Sequence, residues 1–414
     1  TLNLETMNFR KFLAATALAF VMPCFVNAQE AETPKEEGWI FTDETVIPVT
    51  SMKDQNAAGT CWCYSSLSFV EAELLRLTGK TYDFSEMFIV WNTYMDRAKA
   101  TVRTHGDISF SQGGSFYDVL YGIKHYGLVP DAELPAGVKH GDVLSDFSEF
   151  SSVCDPFVEG IVKNRKLQTS PEGTPLWQEA LAGILDAYIG ERPEKFIYEG
   201  KEYTPMSFAE STGFNPDDYV NLASFTHHPF YEPFIIEVQD NWRWSTAYNL
   251  PIDELMEVMN NAIDNGYTFA WGSDVSEKGF LRGDKLGIVV LPDLEAKDNN
   301  DAGTDKSRWV GLSAEERAKE AYSQPTPQRW VTQEERQLGY DNYETGDDHG
   351  MIIHGKAKDQ LGNTYFIVKN SWGEIGKYNG TFYASEAFVR YKTMNIVVHK
   401  DALPKNIKKK LGIK

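Results

Sequence analysis

Residues 55–62 read Gln55-Asn56-Ala57-Ala58-Gly59-Thr60-Cys61-Trp62, and the rest of the chain is placed relative to them. A glycine turn leads to a cysteine. Beyond it Leu67, Val70, Leu74 and Leu77 recur at helical spacing until Gly79 stops the run. Cys61 therefore opens a helix. A helix N-terminus and a neighbouring imidazolium both favour the thiolate, so the spacing predicts a thiol titrating below its usual 8.5 or so. The backbone N–H of Cys61 is free to face a developing oxyanion, and Gln55, six residues earlier, can add a side-chain amide donor. A cysteine without such neighbours is usually a small buried hydrophobe. With them, Cys61 reads as a nucleophile.

A thiol nucleophile needs a base, and the base needs a group to hold its tautomer. His349 opens an apolar run in Gly346-Asp347-Asp348-His349-Gly350-Met351, and Asn370 closes another in NTYFIVKNSWG, residues 363–373. Two adjacent strands would set the imidazole and the amide side by side, with Trp372 covering their hydrogen bond. The other histidines read as structural. His354 lies five residues from His349 and faces the opposite side of a regular strand. Gly113 and Gly114, in SQGGSFYD, allow a substrate backbone to approach and pair as an extended strand. No metal-ligand spacing and no phosphate loop is present. Asp347, Asp348 and His349 imitate a metal site, but an acidic turn beside a catalytic histidine accounts for them. No cofactor is expected.

A glutamine six residues before Cys-Trp, a Gly-Gly loop, a His-Gly and an Asn-Ser-Trp-Gly, in this order, resemble the papain superfamily of cysteine peptidases. His349 follows Cys61 by 288 positions, against the roughly 130–150 typical of lysosomal papain-like enzymes. That length, with FSEMFIVWNTYMDRA, SQGGSFYDVLYGIKHYGLVP, YTPMSFAE and NGYTFAWGSDV, resembles the bleomycin hydrolase and aminopeptidase C group from about residue 40 to the end. The resemblance implies a papain-like fold, a helical half against an antiparallel β-barrel-like half, with a large, partly helical insertion at about 146–250. It also implies homohexamers with inward-facing sites, and a C-terminal arm, here 401–414 ending at Lys414, whose carboxylate holds the substrate's free amine. The substrates would be peptides. A papain-like endopeptidase with an open cleft, an inactive binding homologue and an acyltransferase are the alternatives.

The pattern itself supports an α+β fold. Helices are expected from Cys61, after Ser85, over Phe116 to Tyr126 and over Ile252 to Asn265. Strands are expected at Tyr365 to Lys369, Thr381 to Ala384 and Asn395 to Val398, so helices come first and strands last. Residues 29–50 read as an arm, 51–400 as the peptidase domain, and 293–346 as a charged surface excursion with one helix near Ala314 to Tyr322. From Met7 a short basic region, an apolar run from Phe12 to Met22 and Val26-Asn27-Ala28 form a leader over 1–28, cleaved before Gln29. The expected location is periplasmic or secreted, with no stable membrane insertion afterwards. A net charge of −20 disfavours nucleic acid as a partner. Cys61, Cys63 and Cys154 remain after the leader. A helical Cys63 points about 200° away from Cys61, and a Cys63–Cys154 bridge would leave Cys61 as the free thiol.

Overall fold

The computed structural model describes residues 38–294 and 312–414. The expected leader, the first part of the arm and the middle of the 293–346 excursion lie outside them. Strand β1 (Phe41–Val46) precedes three helices, α1 (Cys61–Thr78), α2 (Glu86–Arg103) and α3 (Phe116–Tyr126). Then come α4 (Ser148–Val162), α5 (Leu176–Tyr188), the hairpin β2 (Phe196–Tyr198) and β3 (Lys201–Tyr203), and α6 (Pro205–Thr212). Strands β4 (Tyr219–Ala223), β5 (Pro233–Ile235) and β6 (Thr246–Asn249) lead to α7 (Ile252–Asp264), β7 (Phe269–Ser273) and β8 (Ile288–Val289). Helices α8 (Ala314–Ala321) and α9 (Gln333–Asp341) precede β9 (His349–Asp359), β10 (Thr364–Lys369) and β11 (Thr381–Ser385). Helix α10 (Glu386–Lys392), β12 (Thr393–His399) and α11 (Lys405–Lys410) end the chain. None of these helices is long and apolar enough to cross a membrane.

Local signals set these boundaries. Gly79 stops α1 in the left-handed region (φ 71°). Ser85 caps α2 by accepting from the Phe88 N–H, and Ser115 with Asp118 forms a capping box on α3.

The main sheet runs β5-β6-β4-β12-β7-β9-β10-β11-β8, with β1 added on β9. Pairing is antiparallel except between β4 and β6 and between β8 and β11. Its end strands, β5 and β8, are three and two residues long and do not meet, so the β half is an open sheet rather than a closed barrel. Strand β9 is the hub. Along one edge it pairs with β7 through residues 349–353 and then with β1 through residues 355–359. Its other edge takes β10. The segment from 146 to 250 is not a separate lobe. Phe150, Leu181 and Phe208 of α4, α5 and α6 share one apolar core with α1, α2 and α3, while β4 joins the main sheet against β12. The second core lies against α7, α10 and α11.

Candidate active site

Helix α1 begins at Cys61, so the cysteine's N–H is one of the first-turn donors that no helical carbonyl can reach. The loop before it is clamped. Gln55 donates from Nε2 to the Ala58 carbonyl (2.9 Å), accepts at Oε1 from the Ser371 hydroxyl (2.7 Å), and donates its backbone N–H to the Ser371 carbonyl (2.9 Å). The segment before the nucleophile is thereby tied to the residue after Asn370, 316 positions away.

His349 starts β9 and Asn370 follows β10, its neighbour in the sheet. Asn370 Oδ1 accepts from the Ser371 N–H (2.8 Å) and lies 2.7 Å from His349 Nε2. The oxygen is an acceptor in both contacts, so Nε2 carries the proton and Nδ1 is left as the base. The Trp372 ring lies 4.9 Å from the His349 ring, tilted by 37°. His354 is turned away, its Nδ1 on the Ile47 carbonyl (3.0 Å).

Cys61, His349, Gly113 and Gly114 line one cavity together with Asp240 and Asp347. Both glycines are required by close approach. A Cβ on Gly113 would collide with the Asp240 carboxylate, and one on Gly114 would lie 2.8 Å from the Trp62 ring. Gln55 and Trp372 are not among the residues that line this cavity. Lys414 is not brought to it. Leu411 and Ile413 pack into the core that contains α7, and Lys410 is bound to Glu254 of α7 (2.6 Å). The expected arm is therefore folded back as a helix, because its apolar residues have a core to join.

Part of the sequence matches the model of the Peptidase C1-like family, over residues 332–413. Aminopeptidase C of Lactobacillus helveticus is 23% identical over 92% of this chain and 86% of its own. Aminopeptidase C of Listeria monocytogenes is 24% identical, over 89% and 84%, and Aminopeptidase G of Lactobacillus delbrueckii is 20% identical, over 87% and 84%. The crystal structure of PepW from Lactobacillus rhamnosis shares the fold, with a TM-score of 0.63 at 18% identity, covering 90% of this chain and 84% of that one. The chain has a papain-like fold and is similar to cysteine peptidases. Its similarity is to the aminopeptidase C group.

The surroundings of Cys61 act against the depressed thiol that the helix terminus favours. Burial pushes Cys61 up to about 11 against the pull of the Gly350 and Trp62 N–H groups, and the Asp347 and Asp240 carboxylates add to the rise. His349 is lowered by burial, partly offset by Asn370 and Asp348. The helix terminus does not outweigh desolvation together with two like-signed neighbours.

Several positioning residues carry no sequence motif. Gln112 accepts from the Gly59 N–H (2.7 Å) and, through its carbonyl, from the Trp62 indole (2.9 Å). Arg97, fully buried, donates to the Gly113 carbonyl (2.6 Å) and the Ser109 carbonyl (2.8 Å) and pairs with Asp240 (3.2 Å). An arginine in a helical run looks like a surface charge until the fold buries it. Cys63 and Cys154, for which a bridge was one possibility, are both free and buried, and the Cys63 thiol donates to the Glu86 carbonyl across the α1–α2 contact (3.5 Å).

Among the described residues, His227, His228 and Glu237 have the donor set for a metal. Their hydrogen bonds argue against one. Gln337 accepts at Oε1 from the Thr226 N–H (2.6 Å) and donates from Nε2 to Asp341 (2.9 Å) and to His227 Nδ1 (3.0 Å). His227 Nε2 must then carry a proton toward Glu237 (3.0 Å) rather than offer a lone pair.

Gly350 pairs across the sheet with Gly272, opening a shallow place where α1 and α3 approach β9. A Cβ on Gly350 would lie 2.6 Å from Ser65 Oγ and 3.1 Å from the Phe116 ring. Gly350→Ala is expected to cost about 1–3 kcal/mol through overpacking, read as a lower urea midpoint. It should also lower turnover, because the displaced turn carries Cys61.

Proposed function

We propose that this chain is an exported thiol-dependent aminopeptidase that removes N-terminal residues of peptides through a Cys61 thioester. The carrying observation is the 2.7 Å His349–Asn370 hydrogen bond on the wall of the cavity that also holds Cys61. The relatives' names add the aminopeptidase class. In this scheme Cys61 Sγ attacks the scissile carbonyl carbon as its proton passes to His349 Nδ1. The oxyanion takes hydrogen bonds from the Cys61 N–H and the second Gln55 Nε2 hydrogen. Collapse breaks the C–N bond, and the leaving amine takes the proton from His349. Water, deprotonated by His349, then hydrolyses the thioester and regenerates the thiol.

Export rests on the Met7 to Ala28 pattern, and the hexamer on resemblance. N-terminal sequencing of the exported protein and light scattering test these two parts. A second reading, an endopeptidase, is favoured by the position of Lys414 away from the cavity. One fluorogenic peptide series, free or acetylated at the N-terminus, separates the two. Cleavage confined to free amines is the expected result, and equal cleavage of both forms would replace the aminopeptidase with an endopeptidase.

A further inference from the structure

Three carboxylates border the nucleophile's cavity, and they are not equivalent. Asp348 accepts from the Val275 N–H (2.7 Å) and the Ser276 hydroxyl (2.5 Å). Asp240 shares Arg97 with two backbone carbonyls. Asp347 has no cationic partner among the described residues. Burial, Asp240 and Asp348 together push its carboxyl up to about 7. Asp240 and Asp347 also border an adjoining cleft of about 620 Å³, so the pair stands where the small cavity opens into larger space. One guanidinium, on Arg97, faces two carboxyl groups there, and it is buried beside Gly113.

We infer that Asp240 and Asp347 form a subsite beside Cys61 for a primary ammonium group of the peptide substrate. The inference rests on the peptidase reading above. It follows from charge and reach. A substrate backbone laid along Gly113 runs against the Asp240 carboxylate, because Gly113 has no room even for a methyl group. The α-amine of the residue under attack is two covalent bonds from the carbonyl carbon that Cys61 must reach. The side-chain amine of a lysine one residue earlier would enter from the larger cleft. Either ammonium supplies the missing counter-charge, and a hydrogen-bonded charge pair in a partly desolvated place is stronger than one in water. An ammonium in the subsite also offsets the two carboxylates, which add to burial in raising the thiol.

The test uses Asp347→Asn, which is nearly isosteric and breaks no hydrogen bond among the described residues. Its first readout needs no turnover: the ratio of Cys61 labelling rates by aminoethyl and sulfonatoethyl methanethiosulfonate, mapped to the Cys61 peptide. A ratio cancels any general change in thiol reactivity. It is expected to fall by roughly tenfold or more in the variant, and an unchanged ratio overturns the subsite. The second readout is kcat/KM for leucyl, acetyl-leucyl, acetyl-lysyl-leucyl and acetyl-norleucyl-leucyl fluorogenic amides. A roughly tenfold loss in the variant confined to free-amine leucyl identifies the N-terminal amine as the ligand, and one confined to the lysyl peptide identifies the side chain. Equal loss on charged and neutral peptides overturns the assignment. If the wild-type protein cleaves none of them while the labelling ratio responds, the peptidase reading fails and the cation subsite stands.

Discussion

Cys61→Ala protein is expected to hydrolyse peptides at least about four orders of magnitude more slowly than the wild type, with an unchanged fold. Removing the nucleophile of a covalent mechanism leaves only binding and oxyanion stabilisation, which retain a small residue of catalysis. The substitution is mild structurally, since the side chain is half-buried at the cavity and alanine is a good helix former. A thiol-directed epoxide gives the companion measurement. It should modify the Cys61 peptide in the wild type, and should leave Cys63 and Cys154 unmodified because both are fully buried. Turnover that survives in purified Cys61→Ala would remove the cysteine peptidase mechanism. A wild type that neither turns over nor labels would point to an inactive binding homologue.

The second large effect is expected at Gln55. Gln55→Ala should lower kcat by about 10²–10³ with KM little changed, because an oxyanion donor acts mainly in the transition state. Gln55 also clamps the loop through Ser371 and Ala58, so alanine alone would confuse the two roles. Gln55→Glu keeps the Ser371 half of the clamp. A carboxylate still accepts from the Ser371 hydroxyl but offers no N–H to the oxyanion or to the Ala58 carbonyl. If both variants lose activity alike, the amide N–H groups are what matter. A nearly active Gln55→Glu would leave Gln55 as a clamp only.

Much of the site was legible without coordinates because its parts are local. The start of α1 at Cys61 needed only helical periodicity after a glycine. The His349–Asn370 pair needed only one apolar run that opens with a histidine and another that closes with an asparagine, since adjacent antiparallel strands bring such ends together. The α+β class followed from the change of period along the chain. The Ser85 cap and the Gly79 stop follow from single residues whose conformational preferences act over one helical turn.

Other features depended on which distant surfaces met. Arg97 and Asp240 are 143 positions apart and form no motif, yet together they shape the Gly113 rim. The sheet stays open because β5 and β8 are too short and too far apart along the path to join. The C-terminal residues fold onto the core of α7, where Leu411 is buried and Ile413 partly buried. The upward push on the Cys61 thiol depends on distant residues for the same reason. The helix terminus is visible in sequence, but desolvation and the charges of Asp347 and Asp240 are sums over everything packed around Cys61. The sequence by itself determined the chemical identities and the local elements that carry them, because those depend on neighbours a few residues away. Only the tertiary structure decided how each group is charged, clamped and exposed, because burial and Coulomb interactions depend on distance in space.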